Sequence, residues 1–206
     1  MRFSDFNLKK NSDGLLPAIV QDARTLKVLM LGYMNEKAFE RTLAEGRVTF
    51  WSRSRNALWT KGETSGNYLA VCEIYPDCDN DTILIKAIPS GPVCHRGTTA
   101  CFDTSENEGF IRTLAEVIRN RHERMPDDSY TTGLFIKGVK AISKKVGEEC
   151  SEMIIEAASG NRERFVYESC DFIYHFLVLL EQMGVSISEL ESELARRHPQ
   201  SGERCK

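Results

Sequence analysis

Thr104-Ser105-Glu106-Asn107-Glu108-Gly109 is a short polar stretch that separates two halves of the sequence with different patterns. Before it lie short segments rich in β-branched and aromatic residues and bounded by Gly, Pro, Asn or Asp, which is typical of strands. After it, apolar residues such as Phe110 and Leu114 recur at helical spacing. We therefore predict an α+β protein, with a mostly β domain at residues 1–106 and an all-α domain at residues 107–206.

Turn and cap residues give the approximate bounds of the elements. Asn35 is a suitable N-cap for a helix at residues 36–45, and Gly46 follows that helix as a stop residue. Gly160-Asn161 separates two long helical patterns in the second half in the same way. The predicted strands are at residues 18–20, 28–31, 48–51, 68–74 and 82–88, and the later helices begin at residue 110 and span residues 130–159, 162–183 and 188–197.

Composition restricts the class of protein. Of the 206 residues, 41% are hydrophobic and 28% are charged, which suits a soluble core and argues against disorder. No run of about eighteen apolar residues occurs, so we expect no membrane span and no signal peptide, and predict a cytoplasmic location. A formal net charge of -3 gives no general attraction to nucleic acid, so the expected partner is a small molecule.

Residues 77–101 combine two kinds of metal ligand. Carboxylate oxygens suit Mg²⁺ and thiolates suit Zn²⁺, so two different metals can be selected in one region. If residues 77–81 are extended, their side chains alternate, which puts the three acids on one face and the cysteine on the other. The candidate ligands are Asp77, Asp79 and Asp81 for magnesium and Cys78, Cys94 and Cys101 for zinc.

Both sites have ordinary alternatives. Asp and Asn are common turn residues and Pro76 introduces them here, so residues 77–81 are also consistent with a surface turn. The cysteines are consistent with a structural zinc that has a fourth ligand, or with no metal, although three sulfurs suit a catalytic zinc with an open position. His95 directly follows Cys94, so it fits a general base or proton shuttle better than a zinc ligand; a structural or exposed histidine is the alternative.

A basic stretch precedes most of these ligands. Arginine, lysine and small hydroxyl residues near two glycines are suited to binding phosphate, and tryptophan offers a face for a flat base. The alternative is an exposed hairpin whose charges are only solvated. The candidate substrate-binding residues are Trp51, Arg53, Arg55, Lys61, Thr64 and Ser65.

Three motifs of the first half resemble phosphoribosyl-AMP cyclohydrolase of histidine biosynthesis. They are W-T-K-G-E-T-S-G-N at residues 59–67, D-C-D-N-D at residues 77–81, and G-P-V-C-H-x-G at residues 91–97 followed by Cys101-Phe102. The resemblance implies that a zinc-activated water attacks C6 of the adenine ring and opens the N1–C6 bond, with Zn²⁺ on the three cysteines and Mg²⁺ on the three aspartates. It also implies a homodimer that assembles the zinc site from both subunits.

Acidic residues recur on two predicted antiparallel helices of the second half. Glu148, Glu149 and Glu152 share one side of the first helix, and Glu168 and Asp171 repeat the arrangement on the second. Core-forming residues, Ile154 and Ile155 among them, are expected around these acids, and carboxylates converging near a core need cations. The pattern predicts a Mg²⁺ site for a polyphosphate; surface glutamates paired with lysines are the alternative.

The region from Phe110 to His198 resembles phosphoribosyl-ATP pyrophosphatase, one of the all-α, MazG-like nucleoside triphosphate pyrophosphohydrolases. The matching motifs are S-Y-T at residues 129–131, K-V-G-E-E at residues 145–149 and D-x-x-Y-H at residues 171–175. The resemblance assigns Mg²⁺ binding to Glu149, Glu152, Glu168 and Asp171, with Glu148 as a supporting ligand or water activator. Lys140 and Lys144 are candidate phosphate-binding residues, or else solvated helix charges.

Together the two resemblances imply a bifunctional hydrolase of histidine biosynthesis. Its C-terminal domain is expected to cleave phosphoribosyl-ATP to phosphoribosyl-AMP and pyrophosphate, and its N-terminal domain to open the purine ring of that product. Two alternatives stay open at this point. One is a zinc-stabilised nucleotide-binding or regulatory protein that hydrolyses nothing, and the other is an enzyme with only one active domain.

Overall fold

The structure, a computed structural model, describes residues 1–11, 13–102 and 109–198. The chain divides into two compact units, Met1–Gly109 and Phe110–Lys206. The first unit consists mainly of strands and the second of helices, which confirms the predicted α+β class. The predicted linker, apart from its last glycine, and the predicted boundary after residue 106 lie outside the described residues.

The first unit has one more hairpin strand than the sequence pattern predicted. Two short 3-10 helices, Phe3–Asp5 and Leu8–Lys10, come first. The additional strand is β4, which pairs with β3, so the hairpin that was the alternative for this basic stretch is present. The remaining elements are β1 (Leu16–Asp22), β2 (Val28–Met34), α1 (Glu36–Glu45), β3 (Thr49–Ser52), β4 (Ala57–Thr60), β5 (Leu69–Pro76) and β6 (Ile83–Pro89).

The sheet topology sets which loops meet. Four strands form a sheet in the order β2-β1-β6-β5, while β3 and β4 form a separate antiparallel hairpin. β1 is parallel to β6, and β5 is antiparallel to β6 with Leu69 opposite Pro89 and Pro76 opposite Ile83. The loops before β5 and after β6 therefore leave the same end of the sheet, and the turn that joins β5 to β6 lies at the other end.

The core of this unit lies against the central strands. Along β1 and β6 every second side chain is buried, as expected for strands with one face against a core. The most deeply buried large side chains include Phe39 of α1 and Phe50 of β3. Helix α1 has the predicted bounds: Asn35 Oδ1 accepts a hydrogen bond from the Ala38 amide at 2.9 Å, and Gly46 ends the helix with a φ of 64°.

The second unit consists of helices in its described part. They are α2 (Phe110–Arg124), α3 (Tyr130–Ser159), α4 (Arg162–Gln182) and α5 (Ile187–Arg197), within about one residue of the predicted bounds. Helix α3 has an unpredicted break at Gly138, where φ is 77°. The turn at Gly160-Asn161 is confirmed, since Gly160 is left-handed and the Asn161 side chain caps α4. The buried core consists of Ile118, Leu134, Phe135, Ile142, Leu177 and Val178.

One expectation for this unit was wrong. Ile154 and Ile155 do not enclose the acidic residues, because they are 57% and 63% exposed on α3. Phe165, Val166 and Tyr167 on α4 are exposed as well. Among the described residues, no single helix is long and apolar enough to cross a membrane; the bent pair of α4 and α5, at 102°, is the one combination with suitable length and composition.

Candidate active sites

The first unit has a cleft at the sheet end where the loops before β5 and after β6 meet. Its volume is about 360 Å³. The cleft brings together the predicted substrate-binding residues Lys61, Thr64 and Ser65 with Cys94 and His95. The other lining residues are Trp59, Gly62, Asn67, Pro92, Val93 and Gly97.

Two glycines allow the loops of this cleft to approach each other. A Cβ on Gly62 would lie 2.5 Å from backbone atoms of Asn67, and a Cβ on Gly91 would lie 2.5 Å from Asn67 Oδ1. The Asn67 side chain then joins the loops, since its Nδ2 donates a hydrogen bond to the Pro92 carbonyl oxygen at 3.0 Å. Asn67 was not among the predicted site residues, although its place directly after Gly66 was a usable signal.

Lys61 is the charged residue that best indicates what this cleft binds. Its side chain lines the cleft although the residue is only 8% exposed. Nζ lies 6.0 Å from the Trp59 ring centroid, and among the described residues Lys61 forms no ion pair with a carboxylate. A buried ammonium that opens into a cleft is suited to an anion such as phosphate, because the anion would compensate its lost hydration.

Two of the three candidate zinc ligands lie together near the cleft. The backbone amide of Arg96 and the side chain of Thr98 lower the pKa of the buried Cys94 thiol, and Cys101 contributes to that shift. Burial raises the pKa of Cys101, the negative charge on Cys94 adds to the rise, and the Lys61 ammonium opposes it. His95 Nδ1 lies 3.8 Å from Cys94 Sγ. This pair of thiols, one of them readily ionised, fits a zinc ion.

Cys78 does not join that pair within one chain. It lies in the turn between β5 and β6, whereas Cys94 follows the far end of β6, about 20 Å away along the strands. In the described part of the chain, the three thiols do not form a group with all sulfurs within 4.8 Å. Within one chain, the structure therefore brings together two of the three predicted zinc ligands, Cys94 and Cys101.

The three aspartates come together in a turn, which was the stated alternative to an extended segment. Residues 77–81 are a turn rather than an extended segment, and Asn80 has a φ of 57°. Asp77 Oδ1 fixes the turn by accepting hydrogen bonds from the amides of Asp81 at 2.9 Å and Thr82 at 3.1 Å. One carboxylate oxygen from each of Asp77, Asp79 and Asp81 lies within 4.8 Å of the others, so the group fits a hard divalent cation.

Three predicted substrate-binding residues lie outside the lining of the cleft. Trp51 is opposite Leu58 in the β3–β4 hairpin. The Arg53 guanidinium stacks over the Tyr33 ring at 3.8 Å, and that of Arg55 lies 5.8 Å from the ring centroid of Trp59, which does line the cleft. The structure thus brings together one half of the predicted set and leaves the other half on the hairpin.

The second candidate site lies between α3 and α4. Carboxylate oxygens of Glu149, Glu168 and Asp171 lie within 4.8 Å of one another. Glu149 and Glu168 are buried. Burial raises the pKa of Glu168, Glu152 and Asp171 raise it further, and Arg164 opposes the rise. Buried acids at this spacing are suited to Mg²⁺, which removes their mutual repulsion.

The remaining predicted residues of this site lie on α3, and Glu152 is the one among them that acts on Glu168. Glu148 is outside it and forms ion pairs with Lys144 at 3.3 Å and Lys145 at 3.0 Å. Lys145 also lies 3.5 Å from Glu149. Lys140 is exposed on α3.

A buried histidine lies beside the acidic trio, since His175 Nδ1 is 3.8 Å from Glu149 Oε1. His175 Nδ1 lies 2.9 Å from the Asp171 carbonyl oxygen, so it donates the hydrogen bond and Nε2 is left as the acceptor. The Tyr130 hydroxyl is 3.2 Å from that Nε2. Sequence analysis gave His175 no role, although its position one helical turn after Asp171 placed it on the same face.

Comparisons with known proteins match the two halves of the chain to two different families. Residues 30–103 match the phosphoribosyl-AMP cyclohydrolase family model, and residues 111–198 match the phosphoribosyl-ATP pyrophosphohydrolase model. A histidine biosynthesis bifunctional protein HisIE from Bacteroides thetaiotaomicron is 53% identical over 188 residues, covering 90% of this chain and 93% of the relative. The chain belongs to the HisIE family of bifunctional histidine-biosynthesis enzymes.

Two other relatives have the same name and match a similar share of the chain. HisIE of Staphylococcus aureus is 51% identical over 187 residues, covering 91% of this chain and 89% of the relative. HisIE of Shewanella oneidensis is 47% identical over 196 residues, covering 95% of this chain and 92% of the relative. Membership confirms the predicted enzyme class, with phosphoribosyl-AMP cyclohydrolase and phosphoribosyl-ATP diphosphatase activities.

Proposed function

We propose that the N-terminal unit opens the purine ring of phosphoribosyl-AMP in the cleft beside Cys94 and His95. The observation that carries this assignment is Lys61, a buried cation that lines the same cleft as those two residues and forms no ion pair with a carboxylate of the described residues. Lys61, Thr64 and Ser65 bind a phosphate of the substrate. The Trp59 ring, which lines the same cleft, offers its face to the purine.

Zinc is the metal that fits the thiols of this site. Cys94 and Cys101 of one chain hold it with Cys78 of the partner subunit, which is why the active form is a homodimer. When bound there, zinc supplies a Lewis acid for the attack of water on C6. A reducing compartment such as the cytoplasm keeps these cysteines available as ligands.

His95 moves the proton in this reaction. Ring opening adds water at C6 and releases N1, so one proton leaves the attacking water and one reaches the departing nitrogen. His95 is exposed in the cleft and its Nδ1 lies beside Cys94, so it can reach both atoms at the edge of the metal site. The Asp77, Asp79 and Asp81 turn holds Mg²⁺ at the opposite end of the strands in the same subunit.

The C-terminal unit cleaves phosphoribosyl-ATP at the α3–α4 site. Glu149, Glu168 and Asp171 bind Mg²⁺, and Glu152 beside Glu168 completes the acidic set. When bound, Mg²⁺ supplies positive charge against the negative charge that develops on the phosphates. Glu148 orients the attacking water, and Lys140 and Lys144 approach the phosphates from α3.

A two-signal assay tests both assignments in one sample. Purified protein with phosphoribosyl-ATP is followed by the ultraviolet spectrum of the adenine and by pyrophosphate release. We expect a zinc-selective chelator in excess Mg²⁺ to stop the spectral change while pyrophosphate release continues, and a general chelator to stop both. An unchanged spectrum and no pyrophosphate with both metals present would contradict the proposal, and equal loss of both signals with the zinc chelator would contradict the separation of sites.

A further inference from the structure

Arg164 is the strongest cationic contact of the α3–α4 site, and sequence analysis assigned it no role. It lies on the first turn of α4, where the Asn161 side chain holds its backbone amide at 3.2 Å. Its Nη2 donates to Glu168 Oε1 at 2.6 Å, and its Nε is 3.8 Å from Glu156 Oε1 on α3. The guanidinium is thus bound to one of the acids that fit the metal.

The two ends of this ion pair differ in exposure. The Glu168 side chain is 4% exposed, whereas the Arg164 side chain is 54% exposed. The Arg164 guanidinium carbon also lies 5.3 Å from the exposed Tyr167 ring. The arginine can therefore leave the carboxylate by rotating its side chain into solvent, while the carboxylate cannot leave the site.

A divalent cation and this guanidinium compete for the same carboxylate. Glu168 carries part of the negative charge that Glu149 and Asp171 share, and Arg164 neutralises it. Mg²⁺ requires carboxylate oxygens at short distances in octahedral geometry, and its two positive charges repel a neighbouring guanidinium. A freed guanidinium beside a metal and a triphosphate is a planar, bidentate phosphate donor.

We propose that Arg164 exchanges partners during the diphosphatase reaction: it neutralises Glu168 in the metal-free site and binds a phosphate of phosphoribosyl-ATP once Mg²⁺ occupies the acids. The inference rests on the proposed function of the α3–α4 site. It adds a substrate-binding residue on α4, beside Glu156 of α3.

Three variants separate this role from simple structural support. Arg164→Ala removes the guanidinium that competes with Mg²⁺ and donates to the phosphate. Arg164→Lys keeps the positive charge without the bidentate geometry of the guanidinium. Arg162→Ala is a matched control that removes an exposed arginine two residues away. Mg²⁺ binding is measured by calorimetry without substrate, and kcat and KM by pyrophosphate release at saturating Mg²⁺. Ring opening of supplied phosphoribosyl-AMP in the same samples shows that the first unit is intact.

We expect Arg164→Ala to bind Mg²⁺ more tightly than wild type and to raise KM for phosphoribosyl-ATP about tenfold or more, the loss of one charge-assisted phosphate contact. Arg164→Lys should have a KM between those of wild type and Arg164→Ala. Arg162→Ala should match wild type in both Mg²⁺ binding and KM. Weaker Mg²⁺ binding by Arg164→Ala, or an unchanged KM, would overturn the inference. Glu149→Ala distinguishes failure of the proposed site from failure of the role of Arg164. Continued pyrophosphate release by Glu149→Ala would refute the α3–α4 site itself. If Glu149→Ala is inactive but Arg164→Ala has an unchanged KM, only the role of Arg164 is refuted.

Discussion

Asn67 Nδ2 donates a hydrogen bond to the Pro92 carbonyl oxygen at 3.0 Å, and this contact joins the two loops that line the cleft of the first unit. One loop carries Thr64 and Ser65, and the other carries Cys94 and His95. The contact depends on Gly91, where a Cβ would lie 2.5 Å from Asn67 Oδ1. The Asn67 side chain and Gly91 therefore help to set the spacing between the phosphate-binding residues and the metal-binding residues, together with the backbone hydrogen bond from the Ser90 amide to the Tyr68 carbonyl oxygen at 2.9 Å.

Gly91→Ala should reduce ring opening by separating these loops. A displacement near 1 Å at a reacting centre costs about a hundredfold in rate, so we expect a loss of about that order in kcat. Asn67→Ala should lower kcat as well, and the double variant should lose less than the product of the two single losses, because the clash at residue 91 needs the Asn67 side chain. Steady-state ultraviolet assays measure these rates.

Two controls accompany this series. Gly133→Ala adds a Cβ with no atom within 4 Å and should leave ring opening unchanged. Pyrophosphate release should persist in every variant. Fully multiplicative losses in the double variant would mean that the two residues act independently.

Mixing two inactive variants tests whether the zinc site is shared. Cys78→Ala and Cys101→Ala should each lack ring opening. In a mixed dimer, one site has Cys94 and Cys101 from the first variant and Cys78 from the second, so it is complete. After refolding an equal mixture, we expect about a quarter of the wild-type rate, since half of the dimers are mixed and each has one intact site. An inactive mixture that still forms mixed dimers would place all three ligands in one chain.

Gly32→Ala should destabilise the first unit. An added Cβ would lie 2.3 Å from ring atoms of the buried Phe50 side chain, so one of the two must shift. Overpacking of this kind costs about 1 to 3 kcal/mol of unfolding free energy. Urea unfolding followed by the fluorescence of the tryptophans reports on this unit, since Trp51 and Trp59 both lie in it. Gly147→Ala, which meets no atom within 4 Å, is the control, and an equal effect of both variants would contradict the packing argument.

The pKa of Glu168 predicts how the stability of the metal-free protein depends on pH. Burial and the neighbouring acids raise this pKa above the ordinary value of 4.5. Between the unfolded and the folded pKa, Glu168 keeps its proton in the folded state and has released it in the unfolded state. Its contribution to the free energy of unfolding is therefore fully present below about pH 4.5 and is lost as pH rises through the folded pKa. Glu168→Gln removes this titration.

Thermal unfolding with a chelator, from about pH 4.5 to about pH 7.5, measures the effect as the difference in Tm between wild type and Glu168→Gln. We expect the Tm of wild type to fall relative to that of Glu168→Gln as pH rises. Added Mg²⁺ should raise the Tm of wild type again. A difference that stays constant with pH would show that Glu168 has an ordinary pKa in the folded protein.

Local signals predicted local structure well in this chain. The cap residues Asn35 and Gly46 gave the bounds of α1, and Gly160-Asn161 gave the turn between α3 and α4, because each acts through its own backbone and side chain. Helical periodicity also predicted that acids of α3 and of α4 share a face, but it did not show that Glu149, Glu168 and Asp171 are the three whose carboxylate oxygens lie within 4.8 Å of one another.

Features that depend on distant partners were not predictable. The order β2-β1-β6-β5 arises from pairing between strands far apart in the sequence, and it separates Cys78 from Cys94 within one subunit. The exposure of Ile154 and Ile155 depends on what covers α3, which an apolar pattern does not reveal. The extended reading of residues 77–81 failed because the Asp77 carboxylate, by accepting two later amides, stabilises a turn instead.

We propose that one chain has two independent active sites, one in each unit. Reciprocal variants test it most directly: Cys101→Ala and Glu149→Ala are each assayed with phosphoribosyl-ATP for pyrophosphate release and with phosphoribosyl-AMP for ring opening. We predict that Cys101→Ala releases pyrophosphate at the wild-type rate but does not open the ring, and that Glu149→Ala opens the ring but releases no pyrophosphate. Loss of both activities in either correctly folded variant would contradict the account.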